Sequence, residues 1–93
     1  MGSLTFDPVA IRDFDNPDYR KPVYILHDGK VIGYYQFTHE NFFQIRLYVD
    51  YESQSGWREV LLDHQSSQED HCREWLQSHI DILFEGLHIR HQE

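Results

Sequence analysis

Two runs of β-branched and aromatic residues, 23–28 and 31–38, flank the tetrapeptide His27-Asp28-Gly29-Lys30. Asp-Gly between such runs supplies the two positive-φ positions that a tight type I′ turn demands, so this stretch is predicted to be a β-hairpin. A lone hairpin is marginal in water and needs further strands or a helix against it. His39-Glu40-Asn41 makes the next turn, and residues 42–52 then alternate, with Phe43, Ile45, Leu47 and Val49 on one face and Gln44, Arg46, Tyr48 and Asp50 on the other. Period two assigns one buried face and one wet face.

Ser53-Gln54-Ser55-Gly56 forms a further turn, and residues 57–62 fit two readings. As a fourth strand they put Trp57 and Leu61 on one face; as a helix they put Trp57, Val60, Leu61 and His64 at i, i+3, i+4 and i+7. The turn spacing continues the meander, so the strand is the expectation. Ser66-Ser67-Gln68-Glu69 has the form of a capping box. Beyond it Cys72, Trp75, Leu76, His79, Ile80, Leu83 and Leu87 share one helical stripe, and Gly86 stands where a left-handed residue ends a helix. At the other end Asp7-Pro8, followed by Val9, Ala10 and Ile11, reads as an N-cap, a proline at N1 and a short helical turn. A polar loop over residues 13–18 and Pro22 lead into the sheet.

The expected fold is therefore α+β. An antiparallel meander of three to four strands carries one long C-terminal amphipathic helix on one face, after a short N-terminal helical turn. Ninety-three residues leave room for a single core, placed within residues 22–87 of one domain spanning 1–93. Met1-Gly2-Ser3 is set aside as a cloning remnant. Cys72 is the only cysteine, which rules out an internal disulfide and points to a reducing, cytoplasmic setting. No apolar run reaches the roughly 18–20 residues that span a bilayer, and the first residues lack the blocks of a secretory signal.

Sixteen acidic residues against eight basic ones give a formal charge of −8. The cations are scattered, so direct binding to DNA, RNA or an anionic membrane is not expected. Metal chemistry is not expected either. His71 and His79 are eight residues apart, about 80° out of line on a helix, and cannot clasp an ion as an i, i+4 pair does. Cys72 lies in register with Trp75, Leu76 and Leu83 and reads as a small core residue rather than a nucleophile. Phosphate loops, nucleophile elbows and zinc-protease motifs are all missing, so no catalytic residue and no cofactor is assigned.

One stretch of about forty residues resembles a known enzyme family. His27-Asp28-Gly29-Lys30-Val31-Ile32-Gly33-Tyr34, Ile45-Arg46-Leu47-Tyr48-Val49-Asp50 and Gln54-Ser55-Gly56-Trp57-Arg58-Glu59-Val60-Leu61-Leu62 look like the central strands and acyl-CoA loop of the GNAT acetyltransferases. The resemblance implies a truncated acyl-CoA-binding fold in which Val49 and the amides around Gly56 touch the cofactor and the Trp57 segment is helical. Arg58 stands where the second loop glycine of that family falls.

Two surface features carry the functional expectation. Asp70, Glu74, Asp81 and Glu85 follow one another at offsets of four, seven and four, an acidic line roughly 22 Å long on the polar side of the helix. Tyr24, Tyr34, Phe42 and Tyr48 point away from the sheet face that holds Phe43, Ile45 and Leu47. Tyrosines favour partner-binding surfaces. The alternative is that Phe6, Ile11 and Phe14 fold over them as a satellite core. The expected function is a non-enzymatic protein-binding module of the inhibitor, immunity or anti-defence kind. Its partner-binding residues are Asp70, Glu74, Asp81, Glu85, Tyr24, Tyr34 and Tyr48, presented to a larger basic partner such as a nucleic-acid-handling protein. Alternatives are the acyl-CoA fold and a homo-oligomerising accessory subunit that uses the sheet face or an unpaired edge strand.

Overall fold

The computed structural model describes residues 3–51 and 55–92. Five strands, β1 (Leu4–Asp7), β2 (Val23–His27), β3 (Lys30–Phe37), β4 (Phe43–Asp50) and β5 (Trp57–Ser66), form one antiparallel meander in the order β1-β2-β3-β4-β5. A single helix, α1 (Glu69–Gly86), follows. The α+β class and the C-terminal helix agree with the sequence, and residues 57–62 belong to a strand. Among the described residues no helix is long and apolar enough to cross a membrane.

The β2–β3 hairpin turns at Asp28 and Gly29, whose φ angles of 53° and 81° are those of the type I′ turn. β3 then has two consecutive buried residues, Ile32 and Gly33. The cause is a register shift at Ile25/Leu26, which gives β3 one extra residue and sends both side-chain positions inward. Gly33 sits so close to β4 that a Cβ built there would lie 2.2 Å from the Arg46 carbonyl oxygen. Only a residue without a side chain fits.

The sequence placed a short helical turn over Pro8-Val9-Ala10-Ile11 with Asp7 as its cap; the structure has loop there, and Asp7 instead closes a strand. Leu4–Asp7 pairs residue for residue with β2, from Leu4↔His27 to Asp7↔Tyr24, and the chain beyond runs as turns and loop to Pro22. The local Asp-Pro signal loses to the backbone pairing offered by β2 and to the burial of Phe6. The meander thus has five strands rather than three or four, and its core takes in Phe6 from outside residues 22–87.

Val23, Ile25, Ile32, Tyr35, Phe43, Ile45 and Leu47 form the covered sheet face, against which α1 lays Cys72, Leu76 and Ile80. Phe14 reaches the same side, edge-on to Phe37 with centroids 5.1 Å apart. Burying a Leu or Ile contributes about 1.5–3 kcal/mol, enough that the helix has no other stable place.

Two end signals were misread. The capping box does not form: Gln68 is the N-cap and makes no side-chain cap bond. Gly86 lies inside the helix, which ends on an extended Leu87 whose N–H donates to the Leu83 carbonyl. After α1 the chain turns back and wedges into the sheet. The β3/β4 ladder stops at Gly33↔Leu47, and in the gap beyond it Ile89 bridges Val49 while Gln92 bridges Val31. Asp50 N donates to His88 O at 2.8 Å and Gln92 N to Val31 O at 2.7 Å, and the His27 and His91 rings are joined at 3.0 Å.

The two glycines give opposite expectations under urea denaturation. Gly33→Ala should cost about 1–3 kcal/mol or more, since the new methyl group meets backbone. Gly86→Ala should gain about 0.5–1 kcal/mol, because it lies in helix with nothing near its would-be Cβ. Equal effects would contradict the described β3–β4 approach.

Candidate functional site

The residues singled out in the sequence fall on two surfaces, and the layering puts these on opposite sides of the molecule. On α1 the buried positions Cys72, Leu76 and Ile80 centre on one side, and at 100° per residue the line of Asp70, Glu74, Asp81 and Glu85 centres roughly 150° away. All four carboxylates are exposed. Among the described residues no ion pair reaches any of them; Asp70 Oδ1 accepts only the neighbouring His71 amide, at 2.9 Å. Tyr24, Tyr34 and Tyr48 line the sheet face that α1 does not cover. One contiguous surface uniting the acidic and aromatic residues does not exist.

The aromatic face is a row across four strands. Tyr24 of β2 meets Tyr34 of β3 at 6.4 Å between centroids, Tyr34 meets Tyr48 of β4 at 6.2 Å, and Tyr48 meets Trp57 of β5 at 5.2 Å and 76°. The N-terminal segment does not fold over it. Phe6 and Phe14 both join the helix side, and Ile11 is exposed. Phe42 lies in the β3–β4 turn, outside the row. Trp57, 44% exposed, belongs to this surface, on the same face of β5 as Leu61, as the strand reading expects. Tyr34 Oη donates to Glu59 at 3.0 Å. Burial first, and that bond second, raise the Tyr34 phenol above its usual range. Tyr48 is raised by burial and then by the Glu59 charge. Tyr24, Val31, Tyr48, Trp57 and Gln92 line a shallow, open hollow of about 240 Å³.

A third cluster has no signature of its own in the sequence, where Glu69 fits the form of a capping box. Glu69, with 1% of its side chain exposed, is the buried carboxylate of the core. It accepts hydrogen bonds from the Tyr35 hydroxyl and the Arg12 amide, and Arg73 pairs with it at 3.3 Å. The same guanidinium donates to Tyr35 Oη at 2.7 Å, to Val9 O at 2.7 Å and to Pro8 O at 3.1 Å, and lies over the Phe6 ring. Burial and the adjacent carboxylate raise the Tyr35 phenol, so the hydroxyl remains a donor. Every member is spent on another, and the arrangement fastens residues 8–12 to α1 and β3.

Cys72 is fully buried, and burial, then the Glu69 charge, pushes its thiol up to about 12. That is the opposite of an activated nucleophile. Among the described residues no group of His, Cys, Asp and Glu is placed to hold a metal ion. His64 and His79 instead sandwich Trp75, at 4.2 and 4.5 Å between centroids. The acyl-CoA geometry implied by the resemblance is not formed: Trp57 opens a strand rather than a helix, and Val49 is buried. Among the described residues no strand lies beyond the outer edge of β5. No family model, curated protein or solved structure matches the chain.

Two stability expectations follow. Glu69→Ala strands Arg73 and leaves two donors unsatisfied, and should cost about 3–5 kcal/mol in urea denaturation; a cost below about 1 kcal/mol would mean the network is not load-carrying. His64 is held below its usual 6.5 by burial and by the nearby His79, and its buried Nε2 lacks a partner. The unfolded chain therefore takes up a proton first as pH falls, and stability is lost from about pH 6.5 down to the folded value. His64→Phe, which keeps a ring on Trp75, should show a smaller loss between about pH 7.5 and 5.5 than the parent chain.

Proposed function

We propose that this chain is a small protein-binding module, of the inhibitor, immunity or anti-defence kind, that meets a larger basic protein through the carboxylate line of α1. The observation that supports the reading is that the line is unfavourable to the chain that bears it. Asp70/Glu74 and Asp81/Glu85 are like-charged i, i+4 pairs, each costing a helix about 0.2–0.5 kcal/mol. Glu85 stands in the last turn, where the macrodipole is already negative, and no basic residue accompanies it; that costs about 0.3–1 kcal/mol more. Asp70 alone is favourably placed, in the first turn, where it accepts the His71 amide; folding gives no such return on Glu74, Asp81 and Glu85, whereas a basic partner surface would.

Reversing Glu74, Asp81 and Glu85 to lysine separates the two possibilities. The variant should be more stable by about 0.5–1 kcal/mol in urea. It should also fail to retain the basic host protein that the parent chain captures at low salt and releases as ionic strength rises. A variant that is less stable, and that captures as the parent does, would assign the carboxylates to the fold and end this reading.

A further inference from the structure

We propose that the sheet face opposite α1 is an interface with a second copy of this chain, packed face to face about a two-fold axis. Tyr24, Trp57 and Leu61 on this face are 41%, 44% and 48% exposed. With Tyr34 and Tyr48 they make one patch across β2 to β5, and an open patch rich in tyrosine and tryptophan has the composition of a protein contact.

The charges within the patch select the occupant. Arg46 lies across from Tyr34 on one side and Leu61 on the other, and Glu59 lies across from Tyr48, so both belong to this face. Among the described residues neither makes an ion pair, with the other or elsewhere. Glu59 accepts the Tyr34 hydroxyl through Oε2 only, while Asp50 is already held by Arg90 at 3.1 Å. A basic partner would be repelled by Arg46 and an acidic one by Glu59. A second copy turned over onto the first meets each with the opposite sign, which is the self-complementarity that a two-fold interface requires.

The strand register fits that arrangement. Arg46, Leu61, Glu59 and Tyr48 are the four corners of one rectangle in the β4–β5 ladder, about 4.8 Å across the strands and about 6.7 Å along them. A two-fold axis lying in the face along the Tyr48–Leu61 diagonal exchanges the other two corners, placing Arg46 over the second copy's Glu59 and Glu59 over its Arg46. Tyr48 and Leu61 then meet their own counterparts, and Trp57 falls over the second copy's Tyr34. The strands of the two sheets cross at roughly 70°, close to the orthogonal class of sheet packing. One axis thus pairs both charges and covers the exposed rings.

The area is sufficient for a weak dimer. Four strands by the length of β4 measure roughly 19 by 26 Å, or about 1,000 Å² for the two copies, at the lower bound of specific interfaces. The charge of −8 on each chain does not forbid the contact. The α1 carboxylates lie on the outer side of each copy, with two sheets and two helices between the lines, far beyond the screening length of about 8 Å.

The test is sedimentation velocity on the whole chain from about 1 μM to about 1 mM, the range in which an interface this small dissociates. The mass should rise from that of one chain toward that of two. Arg46→Glu, Glu59→Arg and Leu61→Lys each set like charges against one another across the axis, and should weaken dimerisation about tenfold or more; urea unfolding at a concentration where all are monomers checks that each variant is folded. An equimolar mixture of the Arg46→Glu and Glu59→Arg chains should dimerise within about threefold of the parent, because one then carries only carboxylates at the two positions and the other only guanidiniums. Reversal of Glu74, Asp81 and Glu85 should leave the dimer within about twofold, so this interface and the α1 surface stand or fall separately. A mass that stays at one chain throughout overturns the proposal. So does a dimer that none of the three substitutions weakens, which would place the contact on another surface such as the outer edge of β5, and so does a mixture that stays monomeric although both variants are folded.

Discussion

The carboxylate of Glu69 fixes how the layers of this molecule lie on one another. It is a charge taken almost wholly out of water, which is tolerable only when both oxygens are hydrogen-bonded and the charge is paired. The Tyr35 hydroxyl from the sheet, the Arg73 guanidinium one turn along the helix and the Arg12 amide from the loop meet that need. Apolar contacts alone leave a helix some freedom to roll on a sheet. A carboxylate held by three elements does not, and the rotation it sets turns Cys72, Leu76 and Ile80 inward and the line from Asp70 to Glu85 outward. Both candidate surfaces take their position from that choice. The aromatic face is open because the one helix is committed to the other side, and because Arg73 draws residues 8–10 to that side as well.

What the sequence disclosed and what it hid divide by the range of the interaction. The Asp28-Gly29 turn, the alternation from Phe43 to Val49 and the stripe through Cys72, Leu76 and Ile80 are local patterns, and each corresponds to an element of the structure. Leu4–Asp7 was missed because four residues carry too little pattern to announce a strand; its reason to be one is the open edge of β2, some twenty residues away. Ser66-Ser67-Gln68-Glu69 matched the local form of a cap, but Glu69 gains more from Tyr35 and Arg73 than from an exposed amide at its own helix end. The tail from His88 to Gln92 has no strand signature. It pairs because β3 and β4 part beyond Gly33.

For the surfaces, exposure was readable and arrangement was not. The acidic residues and the tyrosines lie open to solvent as alternation and helical spacing implied. Their lying on opposite sides follows from the layering, since a helix covering one face of a sheet must carry its polar side away from the other. The aromatic row that Trp57 completes with Tyr48 needed the strand register, and the place of Gln92 needed a pairing between positions sixty-one residues apart.

The separation of the two faces has an electrostatic consequence. The molecule measures 43 × 26 × 23 Å, and the carboxylates of α1 stand a helix and a sheet away from Glu59. At physiological ionic strength the field of an exposed charge decays over about 8 Å, so neither face feels the detailed charge pattern of the other. The overall charge of −8 draws cationic partners toward the molecule from any side, but it cannot choose which face they reach. That choice rests on short-range chemistry: charge pairing along an exposed row of carboxylates weakens as salt rises, whereas contact with exposed aromatic rings depends on burial and ring geometry and less on salt.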